Sequence, residues 1–277
     1  MPHRRHAAAE QGAGLRIVAI GERARRALER SGGAARPLAA FPESPWYEAD
    51  REIVWIGSRL PALHPRAVMT ETPPVRGREL RFESIPGAAW SPPRARLDPS
   101  RIASGARRLK KAARQIGTPG GFGALLVRER PPFPLDRAVA LVRTLDRAFG
   151  HDDPGAVLAA ARPLLGLGAG LTPSGDDLVG GALFGRRLVS GADPRWTSVA
   201  RILSREIRVR SHAVSAALFA DLAAGSSFAP LHDLAAALAS KDDAAALAAA
   251  RTLAAIGHSS GWDMLTGFLI GTRSATR

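Results

Sequence analysis

Two stretches of this chain repeat one spacing of serine, glycine and aspartate, and this repeat constrains the fold more than any other feature. The stretches are Ser174–Gly185 and Ser260–Gly271, in which Ser, Gly, Asp, Gly, Leu and Gly recur at identical offsets. Each carries two glycines four residues apart, which leave a bare stripe on one helix face. We predict two closely packed helices, related by a pseudo-two-fold, with their N-termini at one pocket; the alternative is chance similarity between two glycine-containing helices. The four glycines are Gly181, Gly185, Gly267 and Gly271.

The turn before the first of these helices, Gly166–Asp177, is rich in glycine and polar side chains. Thr172 is a good N-cap, and the proline after it suits the first helical position. We expect free backbone amides at Ser174, Gly175 and Asp176, because the first turn of a helix has no internal acceptors. Free amides at the positive end of the helix dipole make an anion site. The alternative is that these residues only cap a helix and form a tight turn.

This turn fits neither common nucleotide-binding pattern. A Walker-type loop needs a Lys before Ser/Thr, and the dinucleotide pattern needs a preceding strand, whereas Val157–Leu165 reads as a helix. Asp176 and Asp177 would repel a phosphate unless Mg²⁺ lies between, or unless one acts as a base or binds a substrate donor. We predict that they and the aligned Asp263 bind a polar substrate group or Mg²⁺. The predicted donors to an anionic group are Gly168, Gly170, Thr172, Ser174 and Gly175.

A second turn, before the second helix, contains a titratable group. His258 is followed by Ser259, Ser260 and Gly261, with Asp263 one turn further on. An imidazole transfers protons near neutral pH, so we predict that His258 shuttles a proton and that its neighbours contact substrate. The alternative is a structural histidine. A Ser/His/Asp hydrolase triad is less favoured, because the chain has no Gly-x-Ser-x-Gly elbow.

A third candidate segment surrounds Ser211–Ser215. Arg208 falls on one helical face with Arg201 and Arg205, and Ser211 can cap the next helix. The alternative is a solvated basic face; the functional interpretation is contact with a substrate carboxylate or phosphate. The residues predicted to contact substrate here are Arg208, Ser211, His212 and Ser215.

Composition indicates a soluble globular protein, with 45% hydrophobic and 23% charged residues. The chain has no Cys, which excludes disulfides and thiolate metal sites. The net charge of +14 is nearly all Arg, scattered along the chain with few aromatic residues, so it favours an acidic partner or small anionic substrate over nucleic acid. We find no signal-peptide pattern and no apolar run long enough to span a membrane, and we predict a cytoplasmic protein.

The pattern along the chain predicts an α+β fold. We expect a disordered N-terminus over 1–13, a β-rich domain over 14–98 and a helical domain over 99–277 that carries the site. Many prolines in the first hundred residues favour short strands and turns. The predicted strands are Leu15–Ile20, Glu52–Ile56, Ala67–Thr70 and Glu79–Phe82, with a helix over Glu22–Arg30. The predicted helices that follow are Ile102–Gln115, Leu135–Phe149, a helix from Pro154 to Gly166, Pro173–Leu188, Arg195–Val209, Ser211–Ala224, Leu231–Ala239, Asp242–Ile256 and Gly261–Gly271.

The two turns also carry a family resemblance. Leu165–Gly181 and Gly257–Leu265 resemble the AllH-like family, a bacterial group associated with oxamate carbamoyltransferase; the match covers roughly 150–272. Ser211–Ser215 is similar to the family's Thr-Thr-x-x-Ser stretch, with His212 in place of the second hydroxyl. The resemblance implies a subunit that works with two larger partner proteins in carbamoyl transfer between oxamate and carbamoyl phosphate, in purine (allantoin) catabolism. It leaves open which subunit carries the chemistry; the alternative is a non-catalytic assembly or anion-sensing subunit.

Overall fold

The chain divides into two compact units between Ser91 and Pro92. The computed structural model describes residues 15–38, 44–93 and 96–273, and the predicted disordered segment 1–13 lies outside these ranges. The first unit is built on a sheet and the second is helical, which confirms the predicted α+β class.

The N-terminal unit contains a six-stranded sheet with the strand order β1-β5-β4-β3-β2-β6. Neighbouring strands are antiparallel except β4 and β5, which are parallel. The elements are β1 (Ile17–Ile20), α1 (Glu22–Arg30), β2 (Ala34–Pro37), β3 (Trp46–Ala49), β4 (Glu52–Gly57), β5 (Ala67–Thr70) and β6 (Leu80–Arg81).

Helix α1 supplies part of this unit's core because its small and apolar side chains fall on one face. Ala24, Ala27 and Leu28, at spacings of three and four, are fully buried together with Tyr47 and Ile56 of the sheet. The predicted strands and the helix are confirmed. Sequence reasoning missed β2 and β3, which are short and lie among prolines.

The C-terminal unit consists of nine α-helices within its described residues, with short 3₁₀ segments between them. Its α-helices are α2 (Pro99–Lys111), α3 (Val139–Gly150), α4 (Pro154–Ala161), α5 (Ser174–Ser190), α6 (Pro194–Arg210), α7 (Ala213–Ala223), α8 (Ala229–Ser240), α9 (Asp243–Ala254) and α10 (Ser260–Gly271). The 3₁₀ segments are Ala113–Gln115, Gly121–Val127, Leu135–Ala138 and Arg162–Leu164. Every predicted helix is present, although three of them end or begin in 3₁₀ turns.

Helices α5 and α10 form the centre of this unit. Every residue from Ser174 to Arg186 is buried, and so is every residue from Gly261 to Gly271. Helices buried on all sides normally carry apolar side chains all round, yet these begin with serine, glycine and aspartate. Across the described ranges, no helix is both long and apolar enough to cross a membrane.

Candidate functional site

The site is built on a reciprocal backbone contact between α5 and α10. A Cβ atom added at Gly181 would overlap the carbonyl oxygen of Met264, and one added at Gly267 would overlap that of Leu178. Leu178 and Met264 occupy the same position in the repeat, so each helix presents its glycine to the matching carbonyl of the other.

The second glycine of each helix makes the same contact one turn later. A Cβ atom at Gly185 would overlap the carbonyl oxygen of Phe268, and one at Gly271 would overlap that of Ala182, again at matching positions. Both contact series advance together along the chain, so the helices run parallel. The prediction that these helices pack closely, with their N-termini together, is confirmed.

Hydroxyl groups join the two helix starts directly. Thr172 Oγ1 lies 2.8 Å from Ser260 Oγ, and Ser174 Oγ lies 3.3 Å from Ser259 Oγ. Ser174 is buried, whereas Thr172, Ser259 and Ser260 are half-exposed. The hydroxyls therefore form the outer layer of a polar cluster.

The inner layer consists of Asp177 and Asp263, which hold the same position in the repeat. Asp177 is 4% exposed and Asp263 is fully buried. Asp263 Oδ1 accepts a hydrogen bond from the backbone N–H of Phe122 at 2.6 Å. The Oδ2 atom of each carboxyl is buried and has no hydrogen-bond partner among the described residues. An unpaired buried polar atom is costly, which marks this pair as a candidate for chemistry or binding.

Burial dominates the electrostatics of this pair. It raises the pKa of Asp177 well above its usual value, and the charge of Asp263 raises it further, while the hydroxyls of Ser260 and Thr172 act in the opposite direction. Burial also raises the pKa of Asp263 to about 7, against the lowering effect of the Phe122 amide and of the Ser174 and Ser259 hydroxyls. The pair can thus hold or release a proton near neutral pH.

Asp176, next to this pair in sequence, has a different environment. Its Oδ1 accepts a hydrogen bond from the Gly166 amide at 2.7 Å. Its Oδ2 accepts hydrogen bonds from the hydroxyls of Ser211 and of Ser215, the latter at 2.7 Å. Both oxygens are therefore satisfied, and the carboxylate ties the glycine-rich turn to the junction of α6 and α7.

The prediction of free backbone amides at the start of α5 is wrong at two of the three positions, Gly175 and Asp176. The Gly175 N–H donates to the Leu167 carbonyl at 2.8 Å, and the Asp176 N–H donates to the Pro173 carbonyl at 2.9 Å. The Gly261 N–H likewise donates to the Ile256 carbonyl at 3.0 Å. The chain folds back over each helix start, so acceptors from the preceding turn occupy these donors.

The predicted helix caps also require correction. The residue that flanks α5 is Pro173, with no side-chain cap, and the Thr172 hydroxyl bonds instead to Ser260. The residue that flanks α7 is His212, also without a side-chain cap, because the Ser211 hydroxyl is directed to Asp176. In both places a tertiary contact competes successfully with the local cap.

The remaining predicted residues are glycines of the turn and exposed histidine and arginine side chains. Gly168, with φ +120°, passes so close to the helix that a Cβ atom there would lie 2.7 Å from the Ser174 nitrogen. Gly170, with φ +92°, is exposed and has open space around it. His212 and His258 are exposed, and Arg208 lies exposed on α6 without a hydrogen bond or ion pair to any described residue.

Sequence reasoning missed the contribution of Gly121 and Phe122. Gly121 has φ +51°, and a Cβ atom there would overlap the Asp263 carboxyl. The glycine thus lets the chain approach so that the Phe122 amide reaches Asp263. The Pro-Gly-Gly sequence before Phe122, inside a mainly helical region, is the feature that could have indicated this approach.

Neither sizeable cleft that we describe is lined by the carboxyl pair. One, of about 680 Å³, lies in the N-terminal unit beside Trp55 and Arg59. Another, of about 400 Å³, lies in the C-terminal unit between α2, α3 and α10. Within the described residues, no cluster of three or more His, Cys, Asp or Glu side chains is arranged to hold a metal ion.

The segment that contains the whole polar cluster except Phe122 is similar to a known family. Residues 164–272 match the family model of the oxamate carbamoyltransferase subunit AllH. This confirms the resemblance predicted from the sequence, over a range that includes both helix starts and Ser211–Ser215. Searches of curated proteins and of solved structures give no significant match.

Proposed function

We propose that the chain is a subunit of a carbamoyltransferase and that the cluster at the starts of α5 and α10 holds the substrate. The family match supports the first part, since its description is that of an oxamate carbamoyltransferase subunit. The observation that carries the second part is the Asp177–Asp263 pair, two buried carboxyls at matching positions, each with an unpartnered oxygen.

The two layers of the cluster suit the two ends of such a substrate. Carbamoyl phosphate and oxamate each combine an amide group with an anionic group. Carboxylate oxygens accept hydrogen bonds from amide N–H groups, which fits the inner layer. Hydroxyls donate to phosphate or carboxylate oxygens, which fits Thr172, Ser259 and Ser260 in the half-exposed outer layer.

The raised pKa of Asp263 suits the proton transfer that this reaction needs. Carbamoyl transfer to the oxamate nitrogen forms a C–N bond, breaks the C–O bond to phosphate and releases a proton from that nitrogen. A carboxylate with a pKa of about 7 accepts that proton near neutral pH more readily than an ordinary aspartate. Asp177 binds the amide, Asp176 positions the turn, and His258 passes the proton to solvent.

Two larger partner subunits complete the enzyme, and the reaction belongs to allantoin and purine catabolism in the cytoplasm. The family description as an enzyme subunit supports the partners, and we propose that their surfaces receive the part of the substrate that the buried carboxyls do not contact. We assign no cofactor; Mg²⁺ remains an addition to be tested by chelation of the assembled enzyme.

The test is turnover of the enzyme assembled with its partner subunits, measured as phosphate release from carbamoyl phosphate in the presence of oxamate. Asp263→Asn should lower turnover about a hundredfold or more, because general acid–base groups contribute about 10² to 10⁴. Asp177→Asn should also lower turnover, because an Asn NH₂ group would replace an oxygen that accepts from the substrate amide. Asp233→Asn is the control, because this substitution removes the same charge from an exposed position on α8. Wild-type turnover in both site variants, with assembly intact, rejects the catalytic role.

A second candidate is a non-catalytic assembly or anion-sensing subunit. The nearly complete burial of Asp177 and Asp263 favours it, because a buried polar cluster can specify a unique helix pairing without contacting substrate. In that case the isolated chain binds a small anion without turnover. His258→Ala and both aspartate variants then leave the activity of the assembled enzyme unchanged.

A further inference from the structure

The cleft between α2, α3 and α10 has the composition of a small-molecule site. Its volume of about 400 Å³ lies within the usual range for such sites, about 300 to 1,000 Å³. Its walls include Leu125, Leu126, Val142 and Ile270, and Thr266 contributes from the middle of α10. The apolar walls predict that the ligand has an apolar body.

Three cationic side chains at this cleft have no ion-pair partner within the part of the chain that the structure describes. They are Lys110 on α2, Arg128 after the segment Gly121–Val127, and Arg143 on α3. None of the three forms an ion pair with a described residue. The carboxylates at the cleft are already engaged, Glu129 with Arg114 at 3.5 Å and Asp146 Oδ2 with Arg273 at 2.8 Å. The uncompensated positive charge therefore predicts an anionic group on the ligand.

One further atom constrains the ligand. Asp146 Oδ1 is buried and has no hydrogen-bond partner, although Asp146 lines the cleft. A buried carboxylate oxygen without a donor is unfavourable. The Asp146 side chain is 25% exposed, so a turn of its carboxyl group toward the cleft would let a ligand N–H or O–H group reach this oxygen and satisfy it.

We propose that this cleft binds a small amphipathic carboxylate that also carries a hydrogen-bond donor, of the class of N-acylated amino acids. The acyl chain contacts the apolar walls, the carboxylate meets Arg143 with Arg128 or Lys110, and the amide N–H donates to Asp146. The site is separate from the Asp177–Asp263 cluster and does not depend on the carbamoyltransferase proposal.

The experiment uses the full chain and two matched probes, N-hexanoylglycine and its neutral analogue N-hexanoylglycinamide, with binding followed by calorimetry. The carboxylate should bind about tenfold more tightly than the amide, as expected for one charge-assisted hydrogen bond. Arg143→Met should weaken binding of N-hexanoylglycine about tenfold. Arg107→Met is the control, because Arg107 is also exposed but does not line the cleft.

Several results would overturn the proposal. These are equal affinities for the two probes, equal effects of the Arg143 and Arg107 substitutions, and no binding of N-hexanoylglycine at millimolar concentration. Because the substituted arginines are exposed, a folded variant is expected in each case; thermal unfolding checks this. Asp146→Ala gives a separate readout: it should weaken N-hexanoylglycine but leave hexanoate, which has no donor, unchanged or tighter.

Discussion

The starts of α5 and α10 have the same residue pattern, but different contacts hold each of them in place. Both present Ser-Gly-x-Asp, and both direct the aspartate into the common cluster. The variable residue is Asp176 in α5 and Trp262 in α10. Asp176 accepts three hydrogen bonds from surrounding segments, whereas Trp262 is a buried ring packed against Gly123.

The Ser-Gly-x-Asp motif therefore meets two requirements, contact with the other helix and contact with the rest of the unit. Glycine recurs where one helix meets a backbone carbonyl of the other, because each helix is the other's contact surface. Positions that face outward meet unrelated segments, so they are free to differ. The glycines of the repeat are thus retained where the two helix backbones touch, and Asp176 and Trp262 differ where the helices meet the rest of the unit.

The strongest test of the shared positions is to fill the glycine stripe. Gly267→Ala should destabilise the helical unit by about 3 kcal/mol or more, because its Cβ would overlap the Leu178 carbonyl, a backbone group that cannot move away. Urea unfolding measures the loss. Gly155→Ala, in α4 near the surface, should be neutral or slightly stabilising. Equal effects would show that α5 and α10 do not depend on close approach.

The next test contrasts adjacent aspartates. Asp176→Asn should lower the free energy of unfolding by about 2 kcal/mol, because an amide NH₂ would replace an acceptor facing two hydroxyls or an amide. Asp177→Asn should change it by about 1 kcal/mol or less, since Asp177 Oδ2 has no partner to lose. The reverse order would contradict our division between anchoring and central carboxyls.

The Asp177–Asp263 pair also predicts a pH dependence of the free energy of unfolding. Asp263 has a pKa of about 7 in the folded state, above the value of about 3.9 in an unfolded chain. The folded state therefore holds more protons between these values, and its stability falls as pH rises through this window, by up to about 1.4 kcal/mol per pH unit for one proton. Unfolding at pH 5, 6 and 7 should show a shallower decline for Asp263→Asn; an identical slope would show that Asp263 is not the titrating group.

The smallest effect concerns the hydroxyl bridge. Thr172→Val should cost about 1 kcal/mol or less, the contribution of one half-exposed hydrogen bond. Because the partner is Ser260, adding Ser260→Ala should cost less than the sum of the single changes. Strict additivity in this double-mutant cycle would contradict a stabilising hydrogen bond between Thr172 and Ser260.

The fold was largely predictable because its determinants are local or periodic. Helix α1 follows from its apolar spacing and α4 from Asp153 before Pro154, and α5 and α10 were paired from their glycine spacing. What the sequence did not reveal depends on tertiary partners. The occupied amides, the Thr172–Ser260 bridge and the approach of Phe122 to Asp263 join segments whose proximity no local pattern encodes.

The glycine stripes also set an order of events during synthesis. Helix α5 emerges from the ribosome long before α10, and in the folded structure the backbone of α10 covers its glycine stripe. Until residues 260–271 are made, the helical unit lacks α10, one of its two central helices. Native packing must therefore wait until most of this unit has been translated. Substitutions that slow the arrival or docking of α10 should therefore raise chaperone dependence in cells even where they leave the finished protein intact.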